Sequence, residues 1–231
     1  DQVGDDRELA AKVVPDYVCL GKRTLQDNGL SALTRDDVDL ITDPIEAIGT
    51  DRVTCRSGDE YPVDVIVFAT GFHANRYLWP MEIVGRNGVA LADQWGERPT
   101  AYLGITIPNF PNLFCLYGPG TNLAHGGSLI FHSECQIRYV MGCITALLAG
   151  GHGSIECRQE IHDAYNRRLQ DELDTMVWSH PSIRHSWYRN AEGRIYILSP
   201  WRLVDYWRWT RAPALDEFVL TPGRRAPATG A

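Results

Sequence analysis

Lys22 and Arg23 stand side by side after Gly21, in a stretch where acidic residues otherwise prevail. A compact ammonium suits a terminal phosphate, and a permanently charged guanidinium suits a developing oxyanion, so the pair could serve a phosphorylated cofactor and a reacting carbonyl. Two solvated charges in a loop is the plainer alternative. Gly118-Pro119-Gly120-Thr121-Asn122 is a second candidate, expected between a buried strand and a helix, where backbone N–H groups can face an anion or the polar edge of a cofactor. The position of the third glycine in G-x-G-x-x-G is Leu123, which departs from the dinucleotide fingerprint and keeps a simple tight turn in play. Phe68-Ala69-Thr70-Gly71-Phe72 offers small residues for a close backbone or cofactor approach, and equally a structural turn. Ser186-Trp187-Tyr188 could stack on a ring or ribose, or simply fill a core.

Two other chemistries lack their full signatures. His125-Gly126-Gly127-Ser128 is similar to the oxyanion loop of esterases, but the chain has no G-x-S-x-G nucleophile elbow. The seven His and six Cys make neither H-E-x-x-H nor paired C-x-x-C, so no metal site is expected.

The elements that must position these residues begin with a short polar helix over Asp1–Lys12, with no cap before it, and an extended stretch from Pro15 to Leu20. Val38–Thr42 and Ile45–Ile48 read as strands, and 52–56 with 61–63 as a hairpin around Ser57-Gly58-Asp59. Val63–Thr70 is a near-continuous β-branched and aromatic run ending at Gly71, the pattern of a strand buried on both faces of a parallel sheet. Phe110–Tyr117 repeats that pattern before the Gly118 turn. Ser128–Ala149 reads as a helix with Ile130, Ile137, Met141, Ile144 and Leu148 on its core stripe. Together, strand, glycine turn and helix make half of a nucleotide-binding βαβ unit. A second helix is expected over about Ser154–Val177, after the break at Gly150-Gly151-His152-Gly153, and a frayed tail from Pro222.

The 231 residues, 44% hydrophobic and 22% charged, have the composition of a soluble globular protein. Fifteen Asp and Glu face seven Lys and Arg in the first 64 residues, whereas the remainder is close to neutral, a shift that suggests two structural units. The formal charge of −7 gives no whole-chain attraction for nucleic acid or an anionic membrane. His132, Glu134 and Arg138 interrupt the most apolar stretch, so no membrane span is expected, and the widely spaced cysteines suit reduced thiols in a cytoplasm. Asp1 in place of Met reads as a start within a longer polypeptide.

Taken in order, Gly21-Lys22-Arg23 with Asp27-Asn28-Gly29, then Asp64 to Phe72, Tyr102-Leu103-Gly104, Phe110 to Phe114, Gly118 to Asn122 and Ser186 to Tyr188 resemble the C-terminal half of a class B flavoprotein monooxygenase of the Baeyer–Villiger type, most similar to 4-hydroxyacetophenone monooxygenase-like enzymes. The resemblance implies an α/β chain holding the C-terminal portions of two dinucleotide-binding domains, with residues 1–72 in the NADPH domain and 73–231 in the FAD domain. It implies FAD and NADPH as cofactors, O2 and a small ketone as substrates, and an ester or lactone formed through a flavin C4a-peroxide. By the same resemblance Lys22 would bind the NADPH 2′-phosphate, Arg23 would be catalytic through the oxyanion, and Trp187 would contact the nicotinamide cofactor. Thr70 and Gly71 would belong to the interdomain link, and Gly118, Thr121 and Asn122 to the loop beside the flavin ring. Neither G-x-G-x-x-G nor F-x-G-x-x-x-H-x-x-x-W-P/D is present, since His73 lies six residues before Trp79. N- or S-oxygenation and a silent binding remnant therefore stay open, the 231 residues alone are expected to be inactive, and an unpaired half-domain is expected to aggregate or dimerise through exposed apolar surface.

Overall fold

The computed structural model describes residues 3, 5–18, 29–71, 73, 76–124, 127–183, 186–190 and 192–223. Lys22 and Arg23 lie outside the described residues, as do His125 and Gly126. The chain divides at residues 72–73 into two compact units of mixed helix and strand.

In the first unit, helix α1 (Arg7–Val13) does have a cap, because the Asp6 carboxylate accepts from the Leu9 N–H at 2.9 Å. A single turn, α2 (Gly29–Ala32), follows. Strands β1 (Ile45–Ile48), β2 (Arg52–Cys55) and β3 (Glu60–Pro62) form an antiparallel meander. The turn between β2 and β3 has Gly58 at φ +95°, held by its N–H on the Cys55 carbonyl, so the expected hairpin is present.

Two strands expected in this unit are absent. Val38–Thr42 takes no regular structure. Val63–Thr70 is likewise irregular, and its apolar side chains face outward, with Val65 77%, Val67 81% and Phe68 74% exposed. A strand buried on both faces needs a ladder on each edge and layers above and below it, and no described residue supplies them.

The second unit begins with a loop-rich layer around α3 (Leu91–Trp95), whose Leu91 and Trp95 pack with Ala101, Ile107, Phe110 and Cys115. Phe110–Tyr117 is buried in part but is not a strand: Asn112 at φ +61° and Tyr117 at φ +56° break the pleat, and one isolated bridge at Phe114 is all that remains of a ladder. Asn112 instead ties this segment down by a mutual pair with Ile155. The Gly118 turn leads not into a helix but into β4 (Asn122–Leu123), which pairs in parallel with β6 (Leu198–Ser199).

Helix α4 (Leu129–Gly150) has the expected bounds. Ser128 caps its start, accepting from the Phe131 N–H, and Gly151 ends it in the left-handed region at φ +63°. Its buried face is not the expected stripe. Ile130 (72% exposed) and Leu148 (80%) point outward, whereas His132, Cys135, Gln136, Tyr139 and Cys143 are buried. The polar side chains turn inward because α6 (Leu203–Trp209) presents Tyr206 to them.

Ser154–Cys157 is not helical either. It belongs to β5 (His152–Cys157), which pairs antiparallel with β7 (Phe218–Pro222), so the chain stays ordered through the start of the expected tail. Helix α5 (Gln159–Asp174) starts only afterwards, with Leu169 and Leu173 buried. Tyr102, Tyr139, Leu173, Ile197, Tyr206 and Phe218 join these elements in one core.

Candidate functional site

The Gly118–Asn122 loop is a locked backbone surface rather than a flexible turn. Gly118, Pro119, Gly120 and Thr121 are all buried. A Cβ at Gly118 would collide with the carbonyl oxygen of Gly104, one at Gly104 with Cγ2 of Thr121, and one at Gly120 would come within 2.8 Å of Leu169 Cδ2. Glycine is therefore required because two chain segments pass in direct contact. The Thr121 hydroxyl donates to the Gly118 carbonyl at 2.6 Å, the Tyr117 hydroxyl to Asn122 Oδ1 at 2.7 Å, and the Asn122 N–H to the Ile197 carbonyl at 2.9 Å. Gly118, Thr121 and Asn122, predicted as one cluster, are thus brought together.

Both segments carry a non-glycine residue in the left-handed region, Leu103 at φ +53° and Tyr117 at φ +56°. Each such residue costs on the order of 1–2 kcal/mol and persists only where its surroundings fix it. Here they are fixed by one buried polar pair that the sequence did not reveal. Tyr206 donates its hydroxyl to the Leu103 carbonyl at 2.7 Å, Gln136 donates Nε2–H to the Tyr206 oxygen at 3.0 Å, and Gln136 Oε1 accepts from the Tyr117 N–H at 2.8 Å. Gln136 and Tyr206 have no solvent exposure. The one sequence signal for this pair is a neutral amide within a mostly apolar helix.

His132, one turn before Gln136, stacks on the Tyr206 ring with centroids 3.8 Å apart and planes 19° apart. Neither ring nitrogen has a hydrogen-bond partner, and burial without a compensating charge pushes its pKa down to about 4. It is a neutral aromatic plate at ordinary pH. Burial likewise holds the Tyr206 phenol well above its usual range, so its proton stays on the Leu103 hydrogen bond.

The other predicted residues are more scattered. Thr70 and Gly71 lie exposed in the irregular end of the first unit, Gly71 with φ +84°. Trp187 is 55% exposed and makes a T-shaped contact with the buried Tyr188 at 5.4 Å between centroids. Among the described residues no group of three or more His, Cys, Asp or Glu could hold a metal ion, and no helix is long and apolar enough to cross a membrane.

Gly118 to Thr121 are buried, and Asn122 spends its N–H on Ile197 and its Oδ1 on Tyr117, so a place for this loop beside a flavin ring rests on the family resemblance. The ADP half of FAD finds no glycine-rich strand-to-helix turn among the described residues.

No protein-family model matches the chain. It is 39% identical over 223 residues to an uncharacterised monooxygenase of Sinorhizobium fredii, covering 96% of this chain and 34% of that protein. It is 38% identical over 202 residues to a Baeyer–Villiger monooxygenase of Pseudomonas aeruginosa, covering 85% and 38%, and 36% identical over 224 residues to an FAD-binding monooxygenase of Aspergillus niger, covering 95% and 36%. Among solved structures, an oxidised steroid monooxygenase bound to NADP superposes with a TM-score of 0.82 at 30% identity, over 96% of this chain and 43% of that one. A cyclohexanone monooxygenase from Rhodococcus sp. Phi1 bound to NADP+ gives 0.77 at 26% identity, over 95% and 42%.

Fold and sequence together define the class as flavoprotein monooxygenase, of which the chain carries an α/β portion. Within that class it belongs to the Baeyer–Villiger monooxygenase family. The chain spans about a third to two fifths of the length of the curated relatives it matches.

Proposed function

We propose that this chain is part of an FAD- and NADPH-dependent monooxygenase that inserts one oxygen atom of O2 beside the carbonyl of a small ketone, giving an ester or lactone. The observation that carries this reading is the match to a Baeyer–Villiger monooxygenase over 85% of the chain, together with superposition on NADP-bound relatives over nearly all of it. When bound, the reduced flavin would supply the activation of O2. Residues 1–72 belong on this reading to the NADPH domain and 73–231 to the FAD domain.

The chain's own residues bind, orient and stabilise. On this reading Gly118, Thr121 and Asn122 belong to the loop beside the flavin ring, and the partly exposed Trp187 contacts the nicotinamide. Thr70 and Gly71 connect the two domains. Lys22 takes the 2′-phosphate of NADPH, and the Arg23 guanidinium holds the negative charge that develops on the carbonyl oxygen, as the resemblance of Gly21-Lys22-Arg23 to the family's basic pair indicates. Homodimer formation and a cytoplasmic location complete the reading.

The test is to purify the natural polypeptide that carries this sequence, release its flavin by heat, and follow NADPH consumption with a panel of ketones, amines and sulfides. Stoichiometric FAD and ketone-stimulated NADPH consumption are expected. Stimulation by amines or sulfides alone would move the activity to N- or S-oxygenation, and absence of flavin would overturn the reading.

A further inference from the structure

The carbonyl of Leu103 and the amide N–H of Tyr117 belong to two strained, left-handed residues on neighbouring segments, and one side-chain relay joins them: Leu103 O from Tyr206 Oη, Tyr206 Oη from Gln136 Nε2, and Gln136 Oε1 from Tyr117 N–H. Each side-chain donor and acceptor in this relay meets the backbone of those segments or its own partner. Gly104 follows Leu103 and Gly118 follows Tyr117, and these two glycines are in contact, so the relay closes around the tightest point of the loop. Beyond it, the Tyr117 hydroxyl continues to Asn122 at the far end of the loop.

We propose that Gln136 is the positioning residue of the cofactor loop: it does not touch the cofactor, but holds Tyr117 in its left-handed conformation and thereby sets the direction of the Gly118–Asn122 backbone. Tyr206 is its second half, fixing the Leu103–Gly104 segment on which the loop rests. The assignment rests on the reading above that this loop faces the flavin. A neutral amide is the group this position requires, because it must accept from a backbone N–H and donate to a phenol oxygen at once, which no apolar or purely accepting side chain does. Removing it leaves a buried N–H and the strained residue without their partner, and preorganisation of the loop is lost first.

The experiment compares Gln136→Leu with Cys143→Ala in the natural polypeptide. Cys143 is buried in α4 two turns further on, so its truncation weakens the same helix without touching the loop. Amide hydrogen exchange of residues 117–122 is followed without flavin, and FAD affinity and the visible flavin spectrum are measured with it. For Gln136→Leu we expect exchange in the loop to accelerate roughly 10-fold or more, and FAD affinity to fall by a similar factor with a shifted spectrum, whereas Cys143→Ala lowers Tm without either change. Tyr206→Phe keeps the Tyr117 bond and is expected to give a smaller change of the same sign, which serves if Gln136→Leu does not fold. Equal effects of Gln136→Leu and Cys143→Ala at matched Tm loss would overturn the proposal, as would faster loop exchange with unchanged FAD binding. Wild-type protein without any FAD affinity would instead overturn the flavin reading, and the exchange comparison would still decide whether Gln136 holds the loop.

Discussion

Tyr206 donates its hydroxyl to the carbonyl oxygen of Leu103 at 2.7 Å, across 103 residues of sequence and with no solvent reaching its ring. This bond ties α6 near the end of the chain to the segment that supports the Gly118 loop. Tyr206→Phe leaves the Leu103 carbonyl and Gln136 Nε2 unsatisfied in the interior, and is expected to cost about 1–3 kcal/mol. A lower urea midpoint with an unchanged m-value checks this, and an unchanged midpoint would show that water replaces the phenol.

His132 gives stability a specific pH dependence. Burial holds its folded pKa at about 4, below the ordinary value of 6.5, so the unfolded chain binds its proton first. The contribution is fully present above pH 6.5 and is lost as pH falls towards 4, by up to about 3 kcal/mol. His132→Phe keeps a ring against Tyr206 and is expected to remove one proton's worth of that slope. Urea unfolding of both proteins at pH 7 and pH 5 measures it.

The described cysteines are all buried, and burial pushes the thiols of Cys115, Cys143 and Cys157 up to about 11, 12 and 12. The thiolate is the reactive form, so these thiols are expected to resist alkylation at pH 8 in the folded protein and to react on unfolding. Mass spectrometry after brief iodoacetamide treatment, with and without urea, counts the labels.

Lys22→Ala is expected to raise KM for NADPH by roughly 10-fold or more while leaving KM for NADH nearly unchanged, since only the former carries the 2′-phosphate that the ammonium would hold. Steady-state kinetics with both cofactors separates the cases, and equal effects would count against phosphate binding.

Local chemistry was legible in the sequence where the residues that decide it are neighbours. Ser128 and Gly151 bound α4 because capping is a matter of one turn, and the Ser57-Gly58-Asp59 turn marks its hairpin for the same reason. Val63–Thr70 failed because burial of a strand depends on partners elsewhere, and Ser154–Cys157 failed because its partner, β7, lies some sixty residues on. The α4 stripe was read inside out since apolar spacing alone could not weigh the inward-turned His132, Gln136 and Tyr139 against it. In the Gly118–Asn122 loop, the tight turn was legible in the glycines themselves. Gln136 carried only the signal of a neutral amide within a mostly apolar helix and Tyr206 none, as the two meet across 70 residues of sequence.

The proposed reaction places one atom of O2 beside a ketone carbonyl. The most direct test supplies the natural polypeptide with FAD, NADPH, a ketone that stimulates NADPH consumption and ¹⁸O₂, then examines the product by mass spectrometry, in wild type and Arg23→Ala. The account predicts an ester or lactone with one labelled oxygen from the wild type, and continued NADPH oxidation without ester from Arg23→Ala. An unlabelled product, no oxygenated ketone product, or undiminished ester formation by Arg23→Ala would contradict it.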